Sequence, residues 1–89
     1  MIDEREERLI RLMGGISDLL SVGVRTELLG LVKAGEWGVA LELLCDMLYE
    51  GDIQIRKSQY LEIKTLGHQM GMAEDRWSFL RELIERDGY

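Results

Sequence analysis

Residues 34–55, AGEWGVALELLCDMLYEGDIQI, decide the fold. Projected at 100° per residue, Trp37, Ala40, Leu41, Leu44 and Leu48 fall on one side, flanked by Cys45 and Met47, while Glu42, Asp46 and Glu50 fall opposite. That rhythm predicts a helix over about residues 36–50 with one buried face and one wet face. Glu36 suits its positive end, and Gly51 is a good stop.

The neighbouring segments repeat the rhythm. Residues 25–34 carry Leu28, Leu29, Leu31 and Val32 and end at Gly35, with Ser21-Val22-Gly23 read as the turn before them. The hinge to the next helix is very short, so the two should form a helical hairpin. Upstream, Leu9, Leu12, Met13, Ile16, Leu19 and Leu20 predict a helix over about residues 3–20, with Glu4–Arg8 and Glu7–Arg11 spaced as favourable i,i+4 pairs. Gly14 and Gly15 each weaken its middle by ~1 kcal/mol relative to alanine and are where it would break. Downstream, Asp52-Ile53-Gln54-Ile55 reads as extended, its isoleucines pinning the loop to the core. A helix over about residues 57–70 has Tyr60, Ile63, Leu66, Gly67 and Met70 on one side and stops at Gly71. A last helix starts near Glu74 or Asp75 and buries Trp77, Leu80, Leu83 and Ile84 before Gly88. The expectation is an all-α fold: a single small domain of about five helices, a helical bundle with short connections. The absence of proline agrees, and no period of ~34 residues marks a solenoid.

Eighty-nine residues fit one domain. No apolar run reaches the ~18 residues of a membrane span, and the charged start MIDEREERL is unlike a signal peptide, so a cytoplasmic location is expected. The single cysteine, Cys45, cannot form an internal disulfide, which agrees with a reducing compartment.

The formal net charge of −6 is strongly localised. Residues 1–33 are net −1 and residues 56–89 are net 0, so Glu36, Glu42, Asp46, Glu50 and Asp52 in residues 34–55, where no Lys or Arg stands, supply −5. A pI near 4.7 argues against nucleic acid or an anionic membrane as partner, since both reward basic clusters, and favours a basic protein. Glu42, Asp46 and Glu50 stack on one helix face with Tyr49 beside them and Asp52 just past the end. A solvated face is the ordinary reading of such a stripe. Two features favour a binding surface instead: the first helix pairs its charges, and Tyr49 offers the aromatic anchor that interfaces favour. Calcium sites take oxygens from closely spaced loop positions, so the stripe is not expected to hold metal.

No catalytic set assembles, and neither an enzymatic activity, a cofactor nor a small-molecule substrate is expected. His68 is the sole histidine, without a partner that would make it a general base. Cys45 borders an apolar face next to Asp46, whose charge raises the thiol pKa, so an inert thiol is expected. The glycines follow no strand, which excludes dinucleotide and P-loop fingerprints. Ser17, Ser21, Ser58 and Ser78 follow Ile, Leu, Lys and Trp, so the Asp-Ser-Leu attachment motif of acyl carrier proteins is missing.

The series Ala34-Gly35-Glu36-Trp37, then Ala40-Leu41-Glu42, Leu44-Cys45-Asp46, Leu48-Tyr49-Glu50 and Asp52-Ile53, then Tyr60 and Leu66-Gly67, resembles the MafI family of small immunity proteins. These are encoded beside secreted polymorphic toxins and contact-dependent growth inhibition systems of Gram-negative bacteria. The similarity covers about residues 27–84, and residues 1–24 add little to it. Gln54 and Arg56 stand where the family often has a proline and a Ser or Thr cap, a departure that bears on the rigidity of the loop. The resemblance implies a stoichiometric inhibitor of one cognate toxin domain, commonly a nuclease and in some pairs an EndoU-like ribonuclease with a basic cleft. It makes Glu42, Asp46 and Glu50 charge partners of that toxin, Tyr49 an aromatic anchor and Asp52 a loop contact. A different class fits the same residues: a small acidic helical adaptor or self-associating module with no toxin partner.

Overall fold

The structure, a computed structural model, describes residues 3–85. Four α-helices, α1 (Glu4–Gly14), α2 (Val22–Lys33), α3 (Trp37–Glu50) and α4 (Lys57–Gln69), are joined by short connections. A fifth helical stretch follows as two consecutive 3₁₀ segments, Glu74–Arg76 and Ser78–Leu83. The fold is all-α, and among the described residues the one strand-like feature is an isolated parallel bridge between Ile55 and Ile84.

The first helix is shorter than its apolar spacing predicts. It ends at the Gly14-Gly15 pair, and the chain continues through Ile16 into a short 3₁₀ turn, Ser17–Leu19. Leu9, Leu12, Met13, Ile16 and Leu20 remain buried, but the break turns Leu19 outward to 59% exposure. Of the two expected ion pairs, Arg11 pairs with Glu7 at 3.3 Å, whereas Arg8 reaches across to Glu62 of α4. That redirection fastens α1 to α4. Helix α2 begins one turn earlier than expected, because the Ser21 hydroxyl accepts the Val24 N–H at 3.2 Å, making Ser21 an N-cap rather than part of a turn. Leu28 and Val32 enter the core, while Leu29 stays 42% exposed.

Three α-helices end in the same motif, in which the N–H two residues past the C-cap bonds to the carbonyl five residues back and the chain passes through a left-handed residue. After α2, Gly35 takes φ 80 and Glu36 N–H bonds to Leu31 O at 2.9 Å. After α4, Gly71 takes φ 71 and Met72 N–H bonds to Gly67 O at 2.8 Å. After α3, Ile53 N–H bonds to Leu48 O at 3.0 Å, but the left-handed residue is Asp52, φ 49, and Gly51 keeps an ordinary φ of −84. The expected glycine stop is therefore displaced by one residue onto an aspartate.

The loop that follows is tied down without a proline or a hydroxyl cap, with Gln54 and Arg56 beside Ile55. Ile55 is 1% exposed; its N–H donates to Leu83 O at 2.9 Å and its carbonyl accepts from Glu85 N–H at 2.7 Å. At the start of α4 the Gln59 side chain reaches back to accept the Arg56 N–H at 2.8 Å, satisfying a donor that the helix leaves free.

The predicted last helix is 3₁₀ rather than α, and the spacing explains it. Trp77, Leu80 and Leu83, all buried, recur every third residue, which eclipses them on one face of a 3₁₀ helix. Ile84 falls off that face and turns extended to bridge Ile55. The expected stop at Gly88 lies outside the described residues. Trp77 sits in a notch that only glycine permits: a Cβ on Gly67 would lie 2.9 Å from the indole Cδ1. Tyr60 meets the same indole edge-on at 6.0 Å between centroids, and the exposed His68 leans on it at 5.5 Å.

Candidate functional site: the outer face of the third helix

The inward side of α3 anchors the site. Ala40, Leu41, Leu44, Cys45 and Leu48 are all fully buried, which fixes the rotation of the helix and turns its opposite side to water. Asp46 and Glu50 are exposed on that side, and Glu42 is half-buried. Side chains four residues apart on a helix lie about 5–6 Å from each other at their Cβ atoms, so the three carboxylates form one row. Among the described residues none of Glu42, Asp46, Glu50 and Asp52 enters an ion pair or a side-chain hydrogen bond. Every ion pair described involves Arg5, Arg8 or Arg11 of α1.

Tyr49 is half-exposed beside this row, and it is supported. Its ring stands edge-on against Phe79 of the Ser78–Leu83 segment, with centroids 5.0 Å apart and an interplanar angle of 81°. Such edge-to-face pairs contribute about 0.5–1.5 kcal/mol beyond area burial, so the phenol is held in place while its outer part stays open. Asp52 lies within the Leu48–Ile53 turn, exposed and in the left-handed region that a non-glycine residue enters at a cost of roughly 1–2 kcal/mol. The five residues singled out in sequence thus share one surface: four on the outside of α3 and one on the turn that closes it.

Two further members of the surface are not apparent from charge spacing. Val39 is 49% exposed and stands three residues before Glu42 and seven before Asp46, so it extends the row toward the start of α3. Its position in the heptad is the signal that finds it. Phe79 lies outside the three-residue apolar series of its segment, and that off-register aromatic is what reaches Tyr49.

Trp37, expected in the core, is only partly buried and packs against the core from outside it. Its Nε1–H donates to Val32 O at 3.2 Å, and the Arg5 guanidinium lies 5.0 Å from the ring centroid, a cation–π contact that covers the outer side. Cys45 is fully buried, and its thiol is pushed up to about 12, by burial first and by the Asp46 and Glu42 charges after it. A thiol held protonated in this way is a poor nucleophile. Among the described residues no group of His, Cys, Asp and Glu is arranged to hold a metal ion, and no helix is long and apolar enough to cross a membrane.

No family model, curated protein or solved structure matches the chain. Its surface offers a row of carboxylates without a counter-charge among the described residues, a braced tyrosine and an apolar valine on a helix fixed from below. Such a surface can attract and hold a basic protein partner.

Proposed function

We propose that the protein is an immunity protein: a cytoplasmic, stoichiometric inhibitor that binds one secreted toxin domain and protects the cell that makes it, with no chemistry of its own. The observation that carries this reading is the face of α3 that is uncompensated among the described residues, where Glu42, Asp46 and Glu50 stand in a row beside the supported Tyr49. The resemblance of residues 27–84 to the MafI family supports it and supplies the partner class, a basic nuclease domain such as an EndoU-like ribonuclease.

The physical mechanism is competition for a basic cleft. A nuclease that binds phosphates presents clustered Lys and Arg, and a row of carboxylates draws that cleft in over distances set by the Debye length, about 8 Å at physiological salt. Once in contact, Tyr49 and Val39 provide the apolar area that excludes water around the charges and slows dissociation. Asp52 extends the acidic surface past the end of the helix.

Co-expression with the toxin domain encoded beside its gene tests the proposal. Growth rescue and co-purification at one-to-one stoichiometry are the expected results. A folded protein that neither rescues growth nor co-purifies returns the chain to the class of helical adaptors.

A further inference from the structure

A second surface lies away from α3. Ile10 and Met13 of α1, Leu20, and Leu28 and Leu29 of α2 line a groove of about 200 Å³, and Arg25 forms part of its wall. Ile10 is 40% and Leu29 42% exposed at its mouth, and both Leu19, on the neighbouring 3₁₀ turn, and Val22, at the start of α2, are more exposed still. The Arg25 Nε is buried with no hydrogen-bond partner, and among the described residues Arg25 makes no ion pair. A buried guanidinium N–H without an acceptor is costly, and it is this that sets Arg25 apart from the other cations that make no ion pair among the described residues.

We propose that this groove docks a segment of a partner protein that offers a bulky aliphatic side chain with an Asp or Glu beside it. The aliphatic group fills the space between Ile10, Met13, Leu28 and Leu29. The carboxylate takes the Nε edge of the Arg25 guanidinium, which a rotamer change of this long side chain presents in the two-pronged geometry that favours Arg over Lys. Two facts choose this occupant. The volume is below the roughly 300 Å³ at which small-molecule pockets begin, and it suits one or two side chains better than a free ligand. A second copy of the chain is disfavoured because each copy carries a net charge of −6. No wall residue comes from α3, so the inference stands independently of the proposed immunity function.

The test is an NMR titration of the full chain with three probes: acetyl-Glu-Leu-Leu-Glu-amide, its counterpart with Gln at both Glu positions, and octanoate. The expected result is shift changes at the Ile10, Leu28 and Leu29 methyls and at the Arg25 Nε–H. The acidic peptide should bind about threefold to fivefold more tightly than the neutral one, the size of an exposed charge pair. In Arg25→Gln that preference should vanish while the residual affinity persists, and Leu29→Gln should weaken both peptides without disturbing the remaining spectrum. Equal affinity of the two peptides for the wild-type protein, shifts away from the groove, or no binding overturns the proposal. Tighter binding of octanoate assigns the groove to a fatty acid, and groove shifts that depend on protein concentration without peptide assign it to self-association; either outcome overturns it as well.

Discussion

Helices α1 and α3 carry similar numbers of acids and treat them in opposite ways. In α1 the cap and most of the charges obey the local rules. Asp3 caps the first turn by accepting the Arg5 N–H at 2.8 Å, Glu4, Glu6 and Glu7 stand at the positive end, and Arg11 stands at the negative end and pairs with Glu7. Bonding to the Arg5 side chain first, and to its backbone N–H after it, holds the Asp3 carboxyl below its ordinary value, so the cap is fully made above that value and weakens as pH falls. In α3 the rules are broken. Glu36 makes no capping bond, the last turn holds no base, Glu50 sits at the negative end, and Glu42, Asp46 and Glu50 form two like-charge pairs at i,i+4 spacing. Each such term is worth only about 0.2–1 kcal/mol, whereas the five side chains on the inner face of α3 are held by full burial, about 1.5–3 kcal/mol for each large one. The contrast teaches that the outer face of α3 is not composed for the stability of the free protein. Burial leaves it at liberty to answer to something else.

The largest effect should come from the side of α3 that carries the burial. Leu44→Ala should lower stability by about 2–5 kcal/mol, near the total for so small a domain, as measured by urea unfolding. A loss within about 0.5 kcal/mol, the range of surface substitutions, would mean that the helix is rotated and the comparison collapses.

Reversal of the outer face comes next. With Glu42, Asp46 and Glu50 all changed to Lys, affinity for the proposed basic toxin domain should fall by about 3 kcal/mol, roughly a hundredfold, mostly through the association rate. The melting temperature should hold, and the wild-type association rate should fall as salt rises. A folded triple variant with unchanged affinity would return this face to ordinary solvated surface.

Asp52 should give the next effect. Gly35 and Gly71 fill the left-handed position after α2 and α4, so Asp52→Gly should raise stability by about 0.5–1 kcal/mol. If it also weakens toxin binding, the aspartate is kept for its contact and against stability. A stability loss on denaturation would show that the carboxylate has a local structural role.

The smallest effects should have opposite signs on the two helices. Asp46→Asn removes both like-charge pairs and should stabilise by about 0.3–0.5 kcal/mol, whereas Arg11→Ala loses a favourable pair and should cost about the same. Changes of the same sign, resolved by chemical denaturation at low salt, would erase the distinction between the two faces.

What could be seen in the sequence follows the same division. The buried face of α3 from Ala40 to Leu48, the left-handed glycines Gly35 and Gly71 and the helical hairpin are written in local spacing, and the structure has them where the residues place them. The acidic row was visible for the same reason, since a helix face follows from periodicity alone. Less visible were features decided by distant parts of the chain. Arg8 has an acceptable local acid in Glu4 and takes Glu62 instead, because α4 packs against α1. Trp37 has core spacing but sits at the start of α3, where it packs on the edge of the core and Arg5 of α1 lies over its ring. Asp52 escaped because Gly51 was the better left-handed residue on steric grounds. The 3₁₀ character of the last stretch could have been read from Trp77, Leu80 and Leu83, whose period is three rather than three and a half.

The buried thiol of Cys45 has a consequence in time. It lies on the inner face of α3, directly behind Asp46, with its proton held on by its surroundings. A water-borne thiol reagent has to wait until α3 lifts from the core, because the native arrangement offers it neither access nor thiolate. The rate of labelling under native conditions is thus a clock for the opening of that one helix, set by how often the inner face departs and returns. A partner seated on the outer face would slow the clock without touching the sulfur.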